Sequence, residues 1–168
     1  MKYKARNILD GSLQEVLAIA MDRSRDHEKY PNISSCRETR REEKGELIHC
    51  EYLLCGNGDI PEPLRPIALP HLLTWREIGC WDTSNNCYSY KLKPLHFSHL
   101  VNAWGTIKLI GGEDGKVVRE LEGEINIALP VLGNLAARTI IGYMLGNYEK
   151  EAKEFDRYLH AHRQGRGS

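Results

Sequence analysis

Residues 117–129 read VVRELEGEINIAL, and residues 135–160 read LAARTIIGYMLGNYEKEAKEFDRYLH. In the first segment, most of the alternate residues that start at Val117 are apolar, and half of the residues between them are glutamate. This alternation is typical of an antiparallel strand with one wet face. In the second segment, apolar residues recur along one helical face, which predicts a helix of about 26 residues, or roughly 39 Å. A half-buried strand and one long amphipathic helix predict an α+β domain.

Upstream of these segments, the chain alternates between helix and strand signals. Ser12-Leu13-Gln14-Glu15 forms a capping box that precedes apolar residues at helical spacing, and one or two short helices are expected there. Because the strand signals follow one another between helices, we predict a curved antiparallel sheet of six to seven strands, wrapped around the long C-terminal helix. The predicted strands span residues 3–9, 33–43, 46–55, 72–82, 86–95, 99–110 and 116–129.

The composition predicts a single domain without a strong electrostatic preference. The chain has 168 residues, of which 41% are apolar, and its 23 basic and 23 acidic side chains cancel. A neutral chain without a basic stripe is poorly suited to nucleic acid, and we expect at most transient contact with an anionic membrane. We expect one domain over residues 1–162 and a disordered tail over residues 163–168.

The N-terminus and the cysteines predict a cytoplasmic protein. Residues 1–6 lack the apolar core of a secretory signal, and no run approaches the roughly 18 apolar residues that cross a bilayer. The five cysteines are scattered without a C-x-x-C pair, which argues against a disulfide framework and a zinc site. His96 and His99 have no third ligand at a fixed spacing, so neither a metal nor a cofactor is predicted.

A sheet curled around one helix leaves a space unless large side chains fill it. Gly142 and Gly146 lie beside the apolar stripe of the helix, while Ala103, Gly105 and Gly123 lie on the facing strands. These small residues indicate either a cavity or a close approach of helix and sheet. From strand parity and the helix stripe, we expect the cavity to be lined by Tyr52, Trp75, Glu77, Tyr88, Tyr90, Ala103, Gly105, Arg119, Leu121, Ile141, Leu145 and Tyr148.

Two charged residues share the apolar face of the predicted strands. Arg119 interrupts the apolar side of the last strand, and Glu77 has the same parity as Trp75 and Trp81. Because a buried arginine has to be paired, we hypothesise an Arg119–Glu77 pair that binds a carboxylate or phosphate head group. The alternative places Arg119 in solvent at the mouth of the cavity.

A proline-rich segment separates the third and fourth predicted strands. The four prolines within residues 61–70 exclude a central strand and a long regular helix. The apolar residues Ile60, Leu64, Ile67 and Leu69 in this segment are predicted to form a lid that gates ligand entry, or alternatively a permanent cap.

Three motifs in the second half carry a resemblance to a known superfamily. They are WRE at residues 75–77 with WD at 81–82, WGTIKL at 104–109, and EGEINIALPVLG at 122–133. Together with the element order over residues 2–159, they resemble the helix-grip superfamily of START lipid-transfer domains, polyketide cyclases and aromatases, and pollen allergens. The closest likeness is to a bacterial family of unknown function. The resemblance implies a hydrophobic or amphipathic ligand between sheet and helix, and no catalytic residue can be carried over.

The predicted function is the binding or transfer of a lipid or other hydrophobic small molecule, without catalysis. One alternative is an enzyme of the cyclase or aromatase kind, which would need an ionisable pair with shifted pKa values in the same cavity. The other is a protein-interaction module whose cavity is filled by its own side chains.

Overall fold

The computed structural model describes residues 1–56, 73–130 and 132–165. A first strand is followed by two short helices, a run of six strands and one long helix, which confirms the predicted α+β class. The elements are β1 (Lys2–Leu9), α1 (Leu13–Met21), a 3-10 turn (Arg23–Arg25), α2 (Asp26–Lys29), β2 (Ile33–Lys44), β3 (Leu47–Gly56), β4 (Thr74–Asp82), β5 (Cys87–Pro94), β6 (Val101–Gly111), a second 3-10 turn (Glu113–Gly115), β7 (Val117–Ile127) and α3 (Gly133–Gly165).

The strands form one antiparallel sheet in the order β1-β7-β6-β5-β4-β3-β2. Strands β2 to β7 form a meander, and β1 pairs with β7 at the far edge. In β7, every second side chain from Val117 to Ile125 is buried, which confirms the predicted wet and dry faces. The helices lie on the dry face: α3 packs chiefly against β1 and β7, and it also contacts α1 and α2.

The long helix joins two apolar clusters. Towards its C-terminal end, Phe155 and Leu159 pack with residues that include Leu9 and Val16. Towards its N-terminal end, Ile141 and Tyr148 pack in a second cluster with residues of β1, β6 and β7. No helix of the described ranges is both long and apolar enough to span a membrane.

The C-terminal helix extends further than predicted. It ends at Gly165, beyond both the expected helix end at His160 and the expected domain boundary at residue 162. Arg163 provides the physical reason, since its Nε and Nη2 donate to the two carboxylate oxygens of Glu15 at 2.8 and 2.9 Å. The last turn of α3 is thereby tied to the first turn of α1. Residues 166–168 lie outside the described residues.

The two glycines of α3 do not face the sheet. Gly142 and Gly146 are exposed, and nothing lies within 4 Å of the position that a β-carbon would take at either residue. Their predicted role in spacing helix and sheet is therefore wrong. The glycines that control this space lie in the sheet.

Candidate functional site

A cavity of about 230 Å³ lies between the dry face of the sheet and the helices. All seven strands, α1, α3 and the connection from α1 to β2 contribute to its wall. Most of the lining side chains are aliphatic or aromatic, as is usual for a small-molecule site. The volume is below the roughly 300–1,000 Å³ of sites for drug-sized molecules. The cavity therefore suits a compact ligand.

Glycines in the sheet leave room for this cavity. The strand register places Gly79, Tyr90, Gly105, Gly123 and Tyr3 in one row across β4, β5, β6, β7 and β1. A β-carbon at Gly105 would lie 2.6 Å from Tyr90 Oη, and one at Gly123 would lie 2.5 Å from Tyr3 Oη. The tyrosine rings thus lie down across the glycines instead of extending towards α3.

A third tyrosine, Tyr88, stacks beside Tyr90 and also contacts a charged group. Tyr88 lies over Gly79 and stacks between Trp81 and Tyr90, with ring centroids 4.9 and 5.8 Å apart. Its hydroxyl donates to Glu77 Oε1 at 2.6 Å. Burial, followed by the negative charge of Glu77, raises the pKa of the Tyr88 phenol far above its ordinary value. Tyr88 is therefore a neutral hydrogen-bond donor at physiological pH.

Glu77 pairs with Arg23, so the hypothesised Arg119–Glu77 pair is absent. Arg23 Nη1 donates to Glu77 Oε1, its Nε donates to Asp26 Oδ2 at 2.7 Å, and its guanidinium lies 4.6 Å from the ring centroid of Tyr52. Burial opposes the charge of Arg23, but Glu77 and Asp26 together raise its pKa well above the ordinary value. The connection after α1 brings Arg23 under the sheet, where it occupies the place expected for Arg119.

Arg23 is held in place by a second buried ion pair. Lys29 is 1% exposed; its Nζ lies 3.0 Å from Asp26 Oδ1 and donates to the Ile19 carbonyl at 2.8 Å and to the Asp22 carbonyl. Sequence reasoning missed this cluster because residues 22–29 are all polar, and no apolar pattern marks them as buried. One pattern in the sequence could have indicated the cluster. Arg23, Asp26 and Lys29 alternate in charge at a spacing of three residues, which places them on one side of a helical segment.

Arg119 lies on β7 in a different environment. It is 5% exposed, its Nε donates to Asn7 Oδ1 at 3.1 Å, and its guanidinium carbon lies 4.4 Å from the ring centroid of Tyr148. Burial raises the pKa of the Tyr148 phenol, and nearby Arg119 lowers it to a lesser extent. The guanidinium nevertheless lies over the ring, and neither Arg119 Nη2 nor Tyr148 Oη has a hydrogen-bond partner among the described residues. Within the same residues, no carboxylate forms an ion pair with Arg119.

Several residues that line the cavity carry a buried donor without a partner. In the described part of the chain, Trp75 Nε1, Trp81 Nε1, Arg119 Nη2 and Tyr148 Oη are buried without a hydrogen bond. The indole and guanidinium groups can only donate. A buried donor without a partner costs about 1–3 kcal/mol. A ligand that offers hydrogen-bond acceptors would recover this free energy.

Comparisons with known proteins identify the fold. The sequence matches no protein-family model and no curated protein. In structure, the chain is similar to protein TTHA0849 of Thermus thermophilus (TM-score 0.68, 16% identity, covering 96% of this chain and 98% of that one). It is also similar to the Zhui aromatase/cyclase of Streptomyces sp. R1128 (TM-score 0.61, 11% identity, 100% and 96%) and to a START superfamily protein of Mycobacterium smegmatis (TM-score 0.60, 12% identity, 95% and 97%).

The chain has the helix-grip fold. At these identities the likeness concerns the fold alone, and it confirms the resemblance drawn from the order of elements. The helix-grip cavity lies where the sheet faces the helix, and it contains these members of the predicted lining set: Trp75, Glu77, Tyr88, Tyr90, Arg119, Leu121 and Tyr148.

The other predicted lining residues lie close to the helix-grip cavity without being part of its described wall. Tyr52 is buried beneath Arg23, and Gly105 lies under Tyr90. Ala103, Ile141 and Leu145 belong to the apolar cluster around Tyr148. The predicted lid residues Ile60, Leu64, Ile67 and Leu69 fall outside the described residues.

A second depression of about 580 Å³ lies at the end of the sheet, beside the start of α3. Exposed polar side chains border it, including Lys91, Lys93, His99 and Asn134. None of the buried polar atoms that lack a hydrogen bond in the described residues belongs to its lining residues. We therefore describe it as a surface groove and not as a candidate binding site. Those residues also contain no group of three His, Cys, Asp or Glu side chains placed to hold a metal ion.

Proposed function

We propose that this helix-grip domain binds a hydrophobic or amphipathic small molecule in the cavity between the sheet and α3. The observation that carries the proposal is a cavity of about 230 Å³ with a mainly apolar wall and unpartnered hydrogen-bond donors. Apolar walls favour a ligand that leaves water, and the donors favour one with polar groups at defined positions. The volume favours a compact molecule, such as a bicyclic aromatic compound, over a two-chain lipid.

An enzyme of the aromatase/cyclase kind is the second candidate, because one structural neighbour is an aromatase/cyclase. Tyr88 and Glu77 form an ionisable pair within hydrogen-bond reach on the cavity wall. However, Glu77 is already bound by Arg23, and the raised pKa of Tyr88 makes its phenol a poor proton donor and its phenolate inaccessible near neutral pH. General acid–base catalysis works best with a pKa near the operating pH. The pair is therefore better suited to orienting a ligand than to transferring protons.

A protein-interaction module is less well supported, since the side chains that the structure describes leave the space between sheet and helix unfilled. We also infer a cytoplasmic location. The cysteines of the chain are free, which suits a reducing compartment. No nucleic-acid partner is proposed, because the 23 basic and 23 acidic side chains cancel.

The proposal can be tested with N-phenyl-1-naphthylamine, an uncharged probe whose fluorescence rises in apolar surroundings. Ile107 on β6 lines the cavity, and the Ile107→Trp substitution would fill part of it. We expect the wild-type protein to bind the probe with one site, and the variant to bind it roughly 10-fold or more weakly. Displacing the added ring costs about 1–3 kcal/mol, and 1.4 kcal/mol corresponds to tenfold in affinity.

Ile110 offers a matched control on the same strand. It lies on the opposite face and is 38% exposed, so Ile110→Trp adds the same ring outside the cavity. Probe affinity should be unchanged in this variant, and thermal unfolding should show that both variants are folded. Equal probe binding by wild type and Ile107→Trp, or no binding by wild type, would contradict the proposal.

A further inference from the structure

We propose that the ligand carries a carboxylate, and that Arg119 with Tyr148 binds it inside the cavity. This inference rests on the proposed function and specifies the chemistry of the ligand. Arg119 lines the cavity, is 5% exposed, and has an Nη2 without a hydrogen-bond partner among the described residues. A buried cation without a counter-charge is strongly unfavourable, and a ligand anion would supply the missing charge.

The guanidinium of Arg119 is held ready for a ligand. Asn7 connects three elements: its Oδ1 accepts from Arg119 Nε at 3.1 Å, and its Nδ2 donates to the Tyr148 carbonyl at 3.2 Å. The Tyr148 ring supports the guanidinium from one side at 4.4 Å. These contacts restrict rotation of the Arg119 side chain before any ligand arrives, which lowers the entropic cost of binding.

The two arginines of the cavity have different partners. From this difference we infer a structural role for Arg23 and a binding role for Arg119. Arg23 is neutralised by Glu77 and Asp26. Within the described residues, Arg119 forms no ion pair, and its guanidinium contacts the neutral Asn7 and the Tyr148 ring. Arg23 cannot bind a ligand through its Nε or Nη1 without breaking an ion pair. Arg119 can do so without such a loss.

Glu151 is an acidic residue whose carboxyl is influenced by the charge of Arg119. Within the described residues, however, the two do not form an ion pair. It lies three residues after Tyr148 on α3 and also lines the cavity. Burial raises the pKa of its carboxyl, while Arg119 and Asn32 lower it to a lesser extent. The negative charge of a bound carboxylate would raise the pKa of Glu151 further.

The two oxygens of a carboxylate match the two unpartnered groups of Arg119 and Tyr148. Arg119 Nη2 and Tyr148 Oη belong to two side chains in contact, since the guanidinium lies over the tyrosine ring. A carboxylate presents two oxygens to them, whereas a phosphate would need further donors for its third oxygen and its larger charge.

The inference is tested with two ligands that share one carbon skeleton. 1-Naphthaleneacetic acid is an anion at neutral pH, and 1-naphthaleneacetamide is its uncharged counterpart. We expect the wild-type protein to bind the acid roughly 10- to 100-fold more tightly than the amide, as measured by isothermal titration calorimetry, since hydrogen bonds to charged groups are worth that factor. In Arg119→Gln, this preference should disappear while the affinity for the amide stays unchanged.

Arg6 provides the control for loss of charge. It lies on β1 next to Asn7, on the wet face, 3.7 Å from Glu120. Arg6→Gln removes the same charge outside the cavity, and its preference for the acid should equal that of the wild type.

Each outcome separates the inference from the proposed function. Binding of the amide with no preference for the acid in the wild type would overturn the carboxylate site and leave the cavity proposal intact. Binding of neither naphthalene compound, nor of N-phenyl-1-naphthylamine, would overturn the proposed function itself. If Arg119→Gln does not fold, heteronuclear NMR of the wild type decides: the Arg119 Nε–H signal should shift with the acid and not with the amide. Equal shifts would overturn the inference.

Discussion

Tyrosine rings occupy the positions that β-carbons would take at three inward glycines of the sheet. Tyr88 lies over Gly79, Tyr90 over Gly105 and Tyr3 over Gly123. The cavity depends on the absence of a β-carbon at these glycines. With a β-carbon present, the tyrosine ring could not lie flat on the sheet and would extend into the space between the sheet and α3. Glycine in a strand often marks such a close approach.

Gly123→Ala should therefore destabilise the fold by about 1–3 kcal/mol, which is typical of overpacking. The new β-carbon would meet both the Trp104 carbonyl oxygen and Tyr3 Oη, and the carbonyl belongs to a paired strand that cannot move aside. The free energy of unfolding in urea measures the effect. Gly146→Ala on α3 is the matched control: with open space around it, alanine should stabilise the helix by about 1 kcal/mol. Equal stability of Gly123→Ala and wild type would refute this packing account.

Glu151 gives a pH dependence that follows from its burial. Its pKa is raised above the ordinary 4.5, so the folded protein holds this proton more tightly than the unfolded chain. Stability from this group is full below the unfolded-state pKa and declines as the pH rises through the folded-state pKa. We expect urea unfolding of wild type to show this decline above about pH 4.5 and Glu151→Gln to lack it. Glu149→Gln, on an exposed position of the same helix, should behave as wild type; a decline that persists in Glu151→Gln would rule the assignment out.

At the scale of elements, the two segments with the clearest periodicity were predicted best. The alternation in β7 and the apolar stripe of α3 arise from burial of one face, which is a local property of each segment. The C-terminal end of α3 was predicted too early because its last turn is stabilised by Arg163 and Glu15, which are 148 residues apart in sequence. Such a contact leaves no local pattern.

The connection between α1 and β2 forms contacts that the sequence analysis did not predict, although the short helix in it was expected. Its charges are buried: Asp26 is 0% and Lys29 is 1% exposed. Arg23 from the same connection therefore reaches Glu77 on β4, a contact between residues 54 positions apart. The parity of β4 and β7 placed Glu77 and Arg119 on the correct face of the sheet, but parity carries no information on which partner a connection brings to that face.

At the scale of the whole molecule, a seven-stranded sheet with a long helix across one face leaves a cavity of about 230 Å³. Among the residues that the structure describes, Arg23 forms ion pairs with carboxylates and Arg119 forms none. The fold class follows from the order of elements along the sequence. Which arginine forms ion pairs within the fold depends on tertiary contacts, which the order of elements does not reveal. The cavity and Arg119 are the basis for the proposed ligand, a compact apolar molecule with an acceptor group.

Native mass spectrometry of the purified protein tests this central claim most directly. With N-phenyl-1-naphthylamine added, we predict a complex of one probe per 19.2 kDa chain in the wild type, and its loss in Ile107→Trp. A molecule that co-purifies from the cell should occupy the same site and be displaced by the probe. A spectrum that shows only the bare chain, both before and after the probe is added, would contradict the account.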